Sequence, residues 1–272
     1  VTETAARREI RTLALALLAS LVLWNLPSGG VVLYPFKLLA TWLHELSHGL
    51  AMVVTGAGFD RVLIYRDTSG LAFAHDTAGG GAFGASLIAT AGYMGTPLWG
   101  AALLVTTPDA RRARIALLVY AALLVVSALV IVDNRFGQQA IAAIGGAMAA
   151  CAIALPARWR VAVAHFVAAQ ACVDALLDIR VLFRTSQVID GQELACTDTI
   201  RTGCSDAHNM ALYTFGTTAD WAVWTWAAIW LVWSLVVLFV ALRVIARRQG
   251  HLADASSAVK KCGASRTSDA GA

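Results

Sequence analysis

Apolar residues follow one another along this chain in long blocks, at 10–26, 31–55, 79–106, 115–132, 138–155, 158–183 and 221–245, parted by short polar breaks. Blocks of roughly 18 residues or more with few charges read as membrane-crossing helices. The punctuation agrees. Pro27-Ser28-Gly29-Gly30 closes the first block, Gly56 and Gly58 follow the second, and Asp133-Asn134-Arg135-Phe136-Gly137 parts the fourth from the fifth. One stretch has a different rhythm. Arg61-Val62-Leu63-Ile64-Tyr65-Arg66 alternates polar and apolar residues, Asp67-Thr68-Ser69-Gly70 is turn chemistry, and Leu71-Ala72-Phe73-Ala74-His75 resumes the chain. That pattern predicts a small β-hairpin after the second helix, with an edge able to pair with an extended substrate; the alternative is a plain interfacial loop. The expected fold is an all-α polytopic membrane protein, with six to seven transmembrane helices and this hairpin. Residues 1–246 are expected to form a single membrane-embedded domain, and 247–272 a polar, disordered cytoplasmic tail.

Composition strengthens the membrane reading. The 272 residues are 58% hydrophobic and 14% charged, and mean hydropathy is +0.67. The net charge of +4 calls for no nucleic-acid partner, because the basic residues cluster where loops would face an anionic inner leaflet. Arginines before 10–26, at 111–114, at 158–160 and in 243–266 all want one side, yet seven spans would separate the termini. The block 79–106, crowded with glycine and containing Pro97, is therefore expected to be a broken segment, leaving six full spans and both termini in the cytoplasm. No small-residue cleavage site follows 10–26, so that block reads as a span and not as a cleaved leader. Cys196 and Cys204 share a polar loop on the outer side, where a disulfide can form. The four tryptophans Trp221, Trp224, Trp226 and Trp230 near one end of the last block resemble an interfacial belt.

The chemistry concentrates in the second block. His44-Glu45-Leu46-Ser47-His48-Gly49 lies in an apolar run that carries only Lys37 as a further charge. On a helix, His44 and His48 project from one face and can share a Zn²⁺, with Glu45 beside them as a general base toward water at the metal. The bland reading, polar side chains satisfied by neighbouring helices, fits poorly with the cost of such groups in hydrocarbon. Catalytic zinc takes three protein ligands and leaves one position for water. Asp174 and Asp178, one helical turn apart in the sixth block, are the better sources of the third, because a carboxylate at such depth needs a partner. For Asp178 a salt bridge to Arg180 or Arg184 is the alternative. Asn134 offers a donor to a carbonyl oxygen developing charge, or simply a helix cap.

Taken in series, His44-Glu45-Leu46-Ser47-His48-Gly49, Asp67-Thr68-Ser69-Gly70 and Ala91-Gly92-Tyr93-Met94-Gly95 resemble the zinc intramembrane metallopeptidases related to the site-2 protease. The resemblance is to a short branch without a PDZ domain. Asp133-Asn134-Arg135-Phe136-Gly137 is similar to an Arg-Asn-x-aromatic-Gly element of that branch, Asp178-Ile179 to the acidic end of its late span, and Ser205-Asp206-Ala207 to its C-terminal signature. The likeness covers about 40–235. It implies zinc held within the bilayer and hydrolysis of a peptide bond in or near a transmembrane segment of a membrane-anchored protein substrate. Two departures stand out: Asp190-Gly191 lies in a loop and not in a span, and Asp133 replaces an Arg. The third ligand is ranked Asp178, then Asp174, then Asp206.

The sequence thus reads as a multi-pass zinc metalloendopeptidase of a plasma membrane, expected to be a bacterial inner membrane. The metal ligands are His44, His48 and Asp178, and the catalytic residues are Glu45 and Asn134. The alternatives are a non-enzymatic membrane scaffold that keeps the fold and a zinc hydrolase of a small amphiphile.

Overall fold

The computed structural model describes residues 11, 14–16, 18–20, 22–76, 80–179, 182, 186–197 and 204–268, with side chains as far as 248. Helices α1 (Ala14–Asn25) and α2 (Gly29–Val54) are followed by a hairpin of β1 (Phe59–Ile64) and β2 (Gly70–Ala74). Then come α3 (Gly81–Thr106), α4 (Ala110–Val130), α5 (Arg135–Ala154) and α6 (Ala157–Asp178). A second hairpin, β3 (Ser186–Ile189) and β4 (Gln192–Ala195), precedes α7 (Asp206–Phe215) and α8 (Asp220–Ser268).

Among the described residues, five helices are long and apolar enough to cross a membrane: α3, α4, α5, α6 and the Asp220–Arg248 part of α8. The pair α1 and α2 makes a sixth if counted as one bent span. Outward faces fit that assignment, since Leu129 is 78% and Phe83 80% exposed, an excess of bare apolar surface that water would not tolerate over whole helices.

The break expected in 79–106 is not there. α3 is one helix that runs through Pro97, and the sharp bend, 117°, falls between α1 and α2. The glycines of α3 serve close approach instead. A Cβ at Gly92 would strike His44 and His48, one at Gly95 would strike Ser47, and one at Gly100 would meet Cys172. Small residues that let helix backbones near one another are the usual packing device inside a membrane. The tight turn belongs to 26–29, where a Cβ on Gly29 would collide with the Leu23 carbonyl.

The β1–β2 hairpin forms as the alternation predicts, antiparallel with Ile64 opposite Gly70 and Val62 opposite Ala72, and with an irregularity between Phe59 and Arg61. The β3–β4 hairpin was not expected. Its turn is Asp190-Gly191, both with positive φ (52° and 72°), the geometry that an Asp-Gly pair favours between two strands. The Cys196–Cys204 disulfide is present. Trp221 and Trp224 face outward, as an interfacial belt would, but Trp230 is fully buried. The backbone of α8 continues as helix to Ser268, into the stretch expected to be a disordered tail. Arg180 and Arg184 lie outside the described residues.

Two apolar clusters hold the helices. One is built on Trp42 and Leu43 of α2 with Leu117, Leu124, Ile141 and Val167. The other joins Ala89 and Tyr93 of α3 to Ile179, Met210 and Trp230.

Candidate metal centre

His44 and His48 lie four apart on α2, so both imidazoles leave the same face, with ring centroids 4.7 Å apart. Each ring brings its Nε2 to one oxygen of Asp206: Oδ2 lies 3.0 Å from His44 and 3.1 Å from His48. Among the described residues these three form the group whose ligand atoms all lie within 4.8 Å of one another.

Each side chain is set by its surroundings. His48 Nδ1 is 2.6 Å from the Ile88 carbonyl. A carbonyl only accepts, so Nδ1 carries a proton and Nε2 is the nitrogen turned to the centre, the arrangement typical of a ligating histidine. His44 rests edge-on against Tyr93, which stacks at 4.7 Å on Trp230, whose indole donates to Thr90. Ser47 donates to the Leu43 carbonyl and accepts from Trp99 Nε1. Gly92 sits opposite both Nε2 atoms, where any side chain would fill the space.

Asp206 opens α7, with Ser205 as N-cap accepting from the His208 backbone N–H. A carboxylate in the first turn of a helix is favoured by the N–H groups there. Burial works against its charge, but the charges of His48 and His44 and their hydrogen bonds outweigh burial and hold the Asp206 carboxyl far below the usual range.

Glu45 is buried beside the group and within hydrogen-bonding reach of the Ala72 backbone N–H of β2. The hairpin comes close here, since a Cβ at Gly70 would lie 2.9 Å from Glu45 Oε1 and 2.7 Å from Thr41. Together these residues line a cleft of about 690 Å³, walled by β2, by Ile88 and Ala89 of α3, by Val188 and Ile189 of β3, and by Ser205 and Asp206.

Sequence reasoning and structure agree on His44, Glu45 and His48 as neighbours and differ elsewhere. Asp178 lines the cleft but is outside the group of three; the last turn of α6 leaves it beside His44, while the N-terminus of α7 brings Asp206 over the imidazoles. Asp174 is buried behind His44. Asn134 is neither a free donor at the site nor a side-chain cap of α5. Its amide is spent on Ile64, donating to the carbonyl at 2.6 Å and accepting from the N–H at 3.0 Å, so it acts on β1 as a further strand would. Sequence reasoning gave no role to Ile88, because a ligand-orienting backbone carbonyl leaves no mark in side-chain chemistry.

The donor set, two imidazole nitrogens and a carboxylate with one side open to a cleft, matches what zinc takes in hydrolytic sites, and the bare face of Gly92 keeps room beside the nitrogens. No curated protein and no solved structure gives a significant match to the chain. The family model described as Peptidase M50B-like matches residues 13–241, which takes in every helix from the first through most of the last apolar block and all of the residues just described. The chain is therefore a multi-pass membrane protein that belongs to the Peptidase M50B-like family of metallopeptidases.

Proposed function

We propose that this protein is a zinc-dependent intramembrane endopeptidase that cuts a membrane-anchored protein in or near its transmembrane segment, in a bacterial inner membrane. The observation that carries the reading is a single convergence: His44, His48 and Asp206 meet on one wall of a cleft, with Glu45 beside them and β2 opposite. His44, His48 and Asp206 would hold the ion; Asp206 is preferred to Asp178 because its oxygen already bridges the two Nε2 atoms. Zinc when bound supplies a Lewis acid and lowers the pKa of water to about 7.

The remaining steps fall to the chain itself. Glu45 takes the proton of the attacking water and hands it to the leaving amine, with Ala72 N–H steering its carboxylate. The outer edge of β1 is occupied: Val62 N–H donates to the Ile131 carbonyl, Asp133 N–H to the Val62 carbonyl, and Asn134 covers Ile64. The other edge of the hairpin, along β2, lines the cleft. An extended segment lying on it would present backbone amides to Glu45 and the ligands. A helical substrate must unwind locally to do so, because its carbonyls are otherwise engaged within the helix.

Glu45→Gln is the test. It keeps the ligand set, so zinc content should equal that of the wild type, while cleavage of a single-span substrate, read by mass spectrometry, should fall by about 10²–10⁴-fold. His44→Ala should lose the metal as well. A membrane scaffold would give the same substrate profile for wild type and Glu45→Gln, and a hydrolase of a small amphiphile would leave all candidate polypeptides intact.

A further inference from the structure

Beside the main cleft, and sharing His44, Tyr93 and Asp178 with it, lies a small cavity of about 10 Å³ walled as well by Ala40 of α2, Thr96 of α3 and Asp174 of α6. That is room for one water. Asp174 is 7% exposed, and its Oδ2 is buried with no hydrogen-bond partner among the described residues. A buried carboxylate oxygen without a partner is costly and calls for an explanation. Asp178 borders both this cavity and the cleft, and lies within electrostatic reach of His44.

The two histidines are supported unequally. His48 has Nε2 on Asp206 and Nδ1 on the Ile88 carbonyl. The hydrogen bond of His44 among the described residues is at Nε2, to Asp206, and it is His44 that borders the cavity. A ligating histidine needs an acceptor for its second nitrogen to fix ring and tautomer.

We infer that Asp178 is a positioning residue for His44: together with one water held between it and Asp174, it accepts the proton on Nδ1 and so aims Nε2 at the metal. This assigns the two α6 carboxylates to the support of a ligand and gives the orphaned Asp174 oxygen its partner. It rests on the zinc reading above.

The test measures the purified full-length protein in detergent by zinc competition with a chromogenic chelator, and by proton NMR after loading with Co²⁺, which shifts the exchangeable ring N–H signals of ligating histidines far downfield. Asp178→Asn should still bind one metal ion per chain, but about 10–100-fold more weakly. Its Co²⁺ absorption bands should stay where the wild type has them, because the donor atoms are unchanged. In the NMR spectrum one exchangeable ring signal should move or broaden while the other, from His48 on Ile88, stays in place. A general loss of packing would disturb both signals, so the unequal response identifies positioning. Wild-type affinity in Asp178→Asn would overturn the inference. So would loss of stoichiometric binding to the extent seen in Asp206→Asn, or displaced Co²⁺ bands, either of which would make Asp178 a ligand. If Asp178→Asn does not fold, Asp178→Ser takes its place under the same readouts, with the same weakening of about 10–100-fold expected and wild-type affinity again overturning the inference. A wild-type chain that binds no zinc at all would instead remove the zinc reading itself, a different result from a wild type that binds and a variant that is indifferent.

Discussion

The two β-hairpins face the same cleft but are secured in different ways. β1–β2 is fastened at its turn and along its outer edge. Thr41 on α2 donates to the Thr68 carbonyl at 2.6 Å, and Tyr34 donates to the Arg66 carbonyl at 2.8 Å. The far edge is closed by the parallel bridge of Val62 to Val132 and by the Asn134 amide. β3–β4 is tethered at its two ends. At its tip, Gly191 N–H donates to Asp67 Oδ2 at 2.7 Å and Asp190 N–H to Ser69 Oγ at 3.3 Å, and at its base stands the Cys196–Cys204 disulfide. One side of the cleft is therefore set by helix packing and the other by a clasp. The contrast teaches which side keeps the geometry of the centre and which side is held only at its ends.

The hardest blow to the fixed side is Gly70→Val. Its branched side chain would press on Thr41 and Glu45 at the distances that already exclude a Cβ. The hairpin would have to leave α2 or displace the Glu45 carboxylate. Activity should fall toward the Glu45→Gln level, about 10²–10⁴-fold, with zinc content retained, since His44, His48 and Asp206 are untouched. A fully active Gly70→Val would mean that β2 is no wall. The matching change on the clasped side, Gly191→Ala, should weaken the turn and leave turnover within a few-fold.

Asn134→Ala comes next. It strips the donor and acceptor from the Ile64 backbone, and leaving a buried backbone group unmet costs about 1–3 kcal/mol. Thermal unfolding in detergent should shift to lower temperature, and protection of the Ile64 amide from hydrogen exchange should drop while that of Gln192 is unchanged. An unaltered Ile64 amide would show that the edge is held without Asn134.

The smallest effect concerns the clasp and pH. Partial burial opposes the charge on Asp67, but hydrogen bonds from Ser69 and from Gly191 N–H outweigh it and hold the carboxyl below its ordinary value. A depressed carboxylate contributes above its unfolded pKa, about 3.9, and the contribution fades as pH falls through the lower folded value. Exchange at Gly191, corrected for its intrinsic rate, should thus be flat from pH 5 to 8 and rise below about pH 4. In Asp67→Asn it should be faster throughout. Equal exchange in wild type and variant would mean that the tip is not held by Asp67.

How much of this was readable beforehand follows the same division. The helices and β1–β2 were legible because long apolar runs and strict alternation are periodic, and His44 and His48 because four residues return a helix to the same face. The glycines of α3 misled. Glycine density is the same whether a helix breaks or lets a neighbour in, and only the facing side chains of α2 tell the two apart. β3–β4 is short and polar, so its strands carry no hydrophobic signature, although Asp190-Gly191 was a hairpin turn in plain view. Asp206 stood last among three candidates for a similar reason. It lies in an aperiodic stretch, whereas Asp174 and Asp178 share a helical face that periodicity can see.

The separation of 162 residues between His44 and Asp206 has a consequence in time. Chains grow at about 5–20 residues per second, so the ribosome reaches Asp206 roughly ten to thirty seconds after the two histidines have been made. Throughout that interval the nascent chain displays the complete motif on α2 without the Asp206 carboxylate that bridges the two imidazoles. An ion caught early would be held by two nitrogens alone and could leave again. Maturation of the centre therefore waits until α7 has emerged.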